Sequence, residues 1–269
     1  MFSKLIIIAA LSAAALGSRT CGTPEPSDDH RETTRWMQVQ EKAGNVNQAI
    51  PTVNAYFHVV AAGVTEDQGY IPQQKLTAQL DYMNAAYTPS GISFNLAAID
   101  YVVNSNWSAN GDELGMKQAL RKGSYADLNV YFLGDLGNDL GYCYFPNSIT
   151  PGTRAFYKDG CSVLAQSVPG GAATNYNQGG TVVHEVGHWF GLYHTFQGNN
   201  CTGLGDQIDD TPAQASATSG CPATRDSCPG QVGLDPIHNF MDYSIDRCYQ
   251  QFTPQQTVRM QSMWAQYRA

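Results

Sequence analysis

The stretch from His184 to His194, HEVGHWFGLYH, carries three imidazoles and a carboxylate at a spacing that suits one metal ion. On a helix, positions four apart lie about 40° apart around the axis and roughly 6 Å along it, so His184 and His188 can grip an ion together, with Glu185 beside them. His194 could not reach that ion on a continuing helix, because ten more residues carry the chain about 15 Å along the axis. The chain must turn back, and Gly191 is where it can, since glycine adopts positive φ without a steric penalty. Three neutral imidazoles leave a fourth tetrahedral corner to water, which marks a catalytic rather than a structural zinc. Zinc lowers the pKa of that water to about 7, and Glu185 can then take its proton as it attacks a polarised carbonyl.

The expected activity is therefore zinc-dependent hydrolysis of peptide bonds, with protein or peptide substrates. Two alternatives share the histidines: a zinc-stabilised secreted binding module, and a zinc amidase with a non-peptide substrate. Retention of Glu185 argues against the first; the motif alone does not separate the second.

The elements that must position these residues follow from the surrounding patterns. Val53 to Val60 reads as a first strand, and Pro72 opens a helix through Tyr87 with Leu76, Leu80, Met83 and Tyr87 on one face and Gln73, Gln79 and Asn84 on a solvated one. Alternation at Ile92, Phe94, Leu96 and at Leu128, Val130, Phe132 predicts two more strands, with a short helix near 112–120 between them. Gly141 to Phe145 and Cys161 to Gln166 are weaker strand candidates, and Gly179-Gly180-Thr181 leads into the motif helix. Strands alternating with helices predict an α/β (α+β) sheet domain. After His194 the chain is loop-rich, and it closes on Thr253-Pro254-Gln255-Gln256, a capping box that starts a helix burying Met260, Met263, Trp264 and Tyr267.

The chain of 269 residues can bury a sizeable core. Lys4, the apolar run Leu5 to Leu16 and the small residues at Ala15-Leu16-Gly17 predict a signal peptide over 1–17, hence a secreted, extracellular protein. That run of 12 residues falls short of the ~20 a membrane span needs, so no membrane partner is expected. Residues 18–48 are polar, with little hydrophobic periodicity, and read as a pro-segment or loosely ordered arm ahead of a catalytic domain over 49–269.

A net charge of -8 without a basic stripe excludes a nucleic-acid partner. Lysine is absent after Lys158, and acidic residues outnumber arginines from His184 onward, which favours basic side chains in the substrate. Asn106-Trp107-Ser108 and Asn200-Cys201-Thr202 are candidate glycosylation sites at Asn106 and Asn200. The seven cysteines of an exported chain read as disulfides with one left over. Cys21 lies in the arm, and its thiolate could fill the fourth zinc position and keep a precursor silent.

The pattern H-E-x-x-H-x-x-G-x-x-H also requires a methionine-containing turn beneath the metal in the metzincin clan, and Asn239-Phe240-Met241-Asp242-Tyr243 supplies one. The strings HEVGHWFGLYHTFQG and NFMDY closely resemble the pappalysin family of metzincin zinc metalloproteases, especially its fungal and microbial extracellular members; the likeness runs from the CGT at Cys21 to the closing helix. The resemblance implies a metzincin-type catalytic domain with a twisted mixed sheet, a backing helix and an active-site helix, divided into an upper subdomain to about 191 and a lower one over 192–269. It also implies Met241 as a structural floor under the zinc and Tyr243 as a hydrogen-bond partner of the water or oxyanion. Four cysteines after the motif allow three pairings; the resemblance selects Cys201 with Cys228 and Cys221 with Cys248, which leaves Cys143 with Cys161. The segment 205–212 is similar to a calcium-holding loop, with Asp206 and Thr211 as hard oxygen ligands. Oligomeric state is not legible.

Overall fold

The computed structural model describes residues 20–46 and 49–269; the signal expectation for 1–17 lies outside the described residues. Five strands form one sheet: β1 (Val53–Ala61), β2 (Phe94–Val103), β3 (Leu128–Leu133), β4 (Gly141–Cys143) and β5 (Cys161–Leu164), in the order β2-β1-β3-β5-β4. All neighbours run parallel except β4, which pairs antiparallel to β5 at one edge. Every residue of β3 is buried, as expected for a central parallel strand covered on both faces. The edge strand is short, with only three residues, and its register with β5 is pinned by the disulfide Cys143–Cys161.

Seven helices accompany the sheet among the described residues: α1 (Asp28–Lys42), α2 (Gln73–Tyr87), α3 (Ser105–Ser108), α4 (Glu113–Leu120), α5 (Arg154–Lys158), α6 (Gly180–Trp189) and α7 (Pro254–Tyr267). The motif helix α6 has all ten residues buried. Its apolar side, Val182, Val183 and Val186, joins the core formed with Phe57, Leu76 and Tyr87. Its first amides are capped by Asp246, whose Oδ2 accepts from Gln178 N (2.8 Å) and Gly180 N (3.3 Å). Behind it, α2 lends the Tyr87 hydroxyl to the Val183 carbonyl at 2.9 Å. The capping box of α7 forms as its residues predict, with Thr253 and Gln256 bonded reciprocally, and Met260, Met263 and Trp264 are buried. The remaining disulfides, Cys201–Cys228 and Cys221–Cys248, tie the loop-rich region after α6.

Two expectations need correction. Within 18–48, read as a pro-segment or a loosely ordered arm, the described residues 20–46 are not loose: Ser27 caps the 15-residue helix α1, which buries His30, Thr34 and Met37. These lie at i, i+4 and i+7 on one face, but two of the three are polar, so no hydrophobic stripe announces the helix. Glu41 grips the buried Arg259 of α7 bidentately (2.8 and 2.9 Å), and Lys42 pairs with Asp209 at 2.9 Å. Gln79 is also not on a solvated face; it is fully buried because its amide donates to the Gly179 carbonyl at 3.1 Å, fixing the entry to α6.

Candidate metal centre

His184 and His188 rise from the same face of α6, and Gly191, at φ +89°, turns the chain so that His194 returns to meet them. A side chain at 191 would run into Met263 of α7, so glycine is needed there for space as well as for backbone angle. The His184 Nδ1 lies 2.7 Å from the Phe240 carbonyl and the His188 Nδ1 2.7 Å from the Leu192 carbonyl. A carbonyl accepts only, so both Nδ1 atoms carry the proton and both Nε2 atoms present lone pairs. Those Nε2 atoms face each other at 3.2 Å, and His188 Nε2 lies 3.1 Å from His194 Nε2.

Imidazole nitrogens converging in this way suit a shared cation. A tetrahedral zinc with bonds of about 2.0–2.1 Å to nitrogen and about 2.3 Å to sulfur has N···N edges of about 3.3 Å and N···S edges of about 3.5 Å. The Sγ of Cys21 stands 3.5 Å from His188 Nε2, and the four ligand atoms all lie within 4.8 Å of one another. The donor set thus fits a zinc-sized ion with three imidazoles and one thiolate.

Cys21 arrives on a stretch of arm laid along β4. Leu140 N donates to Thr20 O (3.0 Å) and Gly22 N to Gly141 O (2.9 Å), with Cys21 bridged parallel to Gly141. Thr23 then closes on the acid: its hydroxyl accepts from Cys143 N (2.9 Å) and donates to Glu185 Oε2 (3.1 Å). The Cys21 thiol contacts the same oxygen at 3.4 Å, and Cys21 N donates to the Tyr243 hydroxyl at 3.1 Å. Thr23, the partner of Glu185, was not singled out by sequence reasoning, although it stands in the CGT string that carries the resemblance.

Met241 is fully buried and packs its sulfur against Gly187, between His184 and His188 in the sequence of the helix. Its turn is stitched to both sides of the metal cluster, because Phe240 O receives His184 and Met241 O receives Thr195 N at 3.2 Å. Asn239 starts that turn, its Oδ1 accepting from Met241 N (2.9 Å) and from Gln256 of α7 (3.0 Å). Elsewhere, Asp206 and Thr211 meet within the loop after α6, the Thr211 hydroxyl lying 2.8 Å from both carboxylate oxygens. Burial, above all, raises the Asp206 carboxyl to about 7. In the same loop Gln207 Oε1 and Asp210 Oδ1 are buried without a hydrogen-bond partner. Asn106 and Asn200 are both exposed.

The comparisons with known proteins agree with this geometry. The family model described as pregnancy-associated plasma protein-A, peptidase family M43, matches residues 126–265. An extracellular metalloprotease of Sordaria macrospora is 54% identical over 99% of this chain and 97% of its own length, and one of Neurospora crassa is 53% identical over the same shares. Among solved structures, mature mirolysin of Tannerella forsythia in complex with a cleaved peptide is similar at a TM-score of 0.65 and 26% identity, covering 80% of this chain and 92% of its own. A mutant of promirolysin is similar at 0.70 and 25% identity, covering 91% and 94%. The chain belongs to the pappalysins, peptidase family M43 of the metzincin zinc metalloproteases, and is a metalloendopeptidase.

Proposed function

We propose that this chain is secreted as a latent zymogen whose zinc is held by His184, His188 and His194, and whose arm, residues 18–48, blocks the site through Cys21. The observation that carries this reading is the convergence of three Nε2 atoms and one Sγ within 4.8 Å of one another, with the three edges that meet at His188 Nε2 at tetrahedral lengths. When bound, zinc supplies Lewis acidity toward the scissile carbonyl and acidifies a water.

The protein groups do the remaining work. Once Thr23 is withdrawn, Glu185 accepts a proton from the attacking water as its oxygen bonds to the carbonyl carbon, and returns that proton to the departing amine nitrogen. The Tyr243 hydroxyl, released from Cys21 N, donates to the oxygen that gains negative charge. Met241 serves as the floor that keeps the imidazoles in place. The pro form of mirolysin covers more of this chain than the mature form, 91% against 80%, which agrees with residues 18–48 being the removable part.

The catalytic domain is then 49–269, divided at about 191. The names of the relatives and the expected signal support export, and Asn106 and Asn200 are the glycosylation candidates. Among the described residues no helix is long and apolar enough to cross a membrane. The loop at Asp206 and Thr211 offers a calcium ion hard oxygens in a buried setting, with the oxygens of Gln207 and Asp210 beside them lacking partners.

The test is Glu185→Gln in the arm-free enzyme, read by casein digestion and by bound zinc. Proteolysis should fall by roughly 10³-fold, the scale of a lost general base, while zinc content stays at one per chain. Retained turnover, or loss of zinc with activity, would remove Glu185 from the role of base. No casein digestion by arm-free wild type would favour the amidase alternative.

A further inference from the structure

Helix α1 carries one titratable group into a closed aromatic box. His30 is 4% exposed, and its ring centroid lies 5.1 Å from that of Phe145, 5.7 Å from Tyr193 and 6.4 Å from Tyr267. Proton accounting gives its state. The Thr34 hydroxyl donates to the His30 carbonyl at 2.7 Å, so toward Tyr193, 3.0 Å away, it can only accept. The Tyr193 hydroxyl therefore gives its proton to Thr34 and must accept from His30 Nδ1, at 2.7 Å. His30 thus carries its one proton on Nδ1, and Nε2 is a bare lone pair, buried with no partner. A second proton would place an N–H there with no acceptor and a charge with no water.

Among the described residues, nothing facing the ring compensates that charge. From its own helix comes Arg31, turned to Glu25 and the Pro26 carbonyl; from α7 come Arg259, paired with Glu41, and the phenol of Tyr267; from the turn after α6 comes Tyr193. The segment after β4 contributes only the ring of Phe145. The charges that act on His30 are both positive.

The same end of α1 is continuous with the blocking stretch. Ser27 Oγ caps His30 N at 3.2 Å, Gln197 holds Glu25 at 2.8 Å, and Thr23 sits on Glu185. We propose that His30 is an acid-sensitive latch: its protonation expels the first turn of α1 from the aromatic box and withdraws Cys21 and Thr23 from the active site, so that the zymogen opens on acidification. The inference rests on the latency reading above.

Burial first, then Arg259 and Arg31, lowers His30 from 6.5 to about 4 while the arm is docked. A released arm in water titrates near its ordinary value of about 6.5. Because the docked value is depressed, docking is at full strength above about 6.5 and is lost as pH falls toward 4; at pH 5 the proton favours release by about twentyfold over pH 7. Release also frees Arg31, Arg35 and Lys42, the basic positions of the arm, from a docked helix that a protease cannot cut until it unwinds.

The experiment uses the full precursor carrying Glu185→Gln, which cannot process itself, and follows the reaction of Cys21 with 4,4′-dithiodipyridine from pH 7.5 to 4.5, with zinc content measured in parallel. With His30 present the rate should rise at least tenfold between pH 7 and pH 5. With His30→Asn, which keeps a donor for Tyr193 but cannot gain a charge, it should stay within about twofold, and so should His30→Phe, which fills the box should the Asn variant fold poorly. Equal rises in all three proteins, or no rise in any, overturn the latch. Reaction at pH 7 as fast as in the unfolded chain would overturn the latency reading itself, and the latch with it.

Discussion

Helix α6 and the Thr20–Thr23 stretch deliver ligand atoms to the same point, yet α6 has all ten residues buried while Thr20, Cys21 and Thr23 are half-buried and Gly22 is exposed. The helix is held by core packing, a carboxylate cap at its start and an arginine clamp at its end. The stretch is held by a few hydrogen bonds along one side of a three-residue strand and by its thiol. Packing on this scale makes a permanent framework, whereas hydrogen bonds worth about 1 kcal/mol each make an attachment that one cut or one proton can undo. The division suits the proposed latency, in which the protease is built once and unblocked once.

The sharpest way to break the comparison is Cys21→Ser in the intact precursor. If the binding of zinc in four-ligand sites, about 10–16 kcal/mol, is shared among the ligands, one thiolate is worth ~3 kcal/mol, and the arm should open roughly a hundredfold more often. Activity without processing, followed on a gel, is the expected result; equal silence in both precursors would leave only steric blockage by residues 18–48. On the framework side, Arg268→Ala removes a guanidinium that meets the Asp159 carboxylate at 2.9 Å, donates to Trp189 O at 3.1 Å and lies 3.6 Å over the Trp189 ring. Both charges are 1% exposed, so the loss should cost about 3 kcal/mol by urea denaturation, the low end for a broken buried pair because Arg121 still faces Asp159 at 3.3 Å. An unchanged midpoint would mean that the clamp adds nothing to the packing.

Tyr243→Phe should lower turnover of the arm-free enzyme by about 10 to 100-fold, in line with other single donors to an oxyanion, with zinc retained. An unchanged rate would make the phenol a packing group against His184 and His194. The smallest effect is expected of Thr23→Val, which deletes two hydrogen bonds but leaves Cys21 in place. Loss of about 1–1.5 kcal/mol of docking should raise leak activity of the precursor roughly tenfold; no change would show that the thiol alone holds the stretch.

The parts of this molecule legible in the sequence are those where chemistry or periodicity is local. The ligand spacing at His184 and His188, the turn at Gly191 and the capping box at Thr253 each lie within one helix end, and the α/β sheet follows from alternation of short apolar runs. What escaped depends on contacts between distant segments. Gln79 looks solvated until the Gly179 carbonyl is placed above it, and Thr23 is an ordinary threonine until β4 puts it against Glu185. Helix α1 escaped because its docking face uses His30, Thr34 and Glu41 where an aliphatic stripe would have been visible, which also fits the proposal that it detaches.

The dual use of Gln256 has a consequence in time. That amide completes the cap of α7 and holds Asn239 at the start of the methionine turn, while Arg268, about three turns beyond, clamps the end of α6. All the metal ligands, Glu185 and Tyr243 precede both residues in the chain. A polypeptide still emerging from the ribosome therefore displays the three imidazoles well before it has the pieces that hold them in register, and until synthesis has passed Arg268 it lacks a finished cutting site. The stretch around Cys21, by contrast, is made first, so under the proposed latency the order of translation alone puts the guard ahead of the blade.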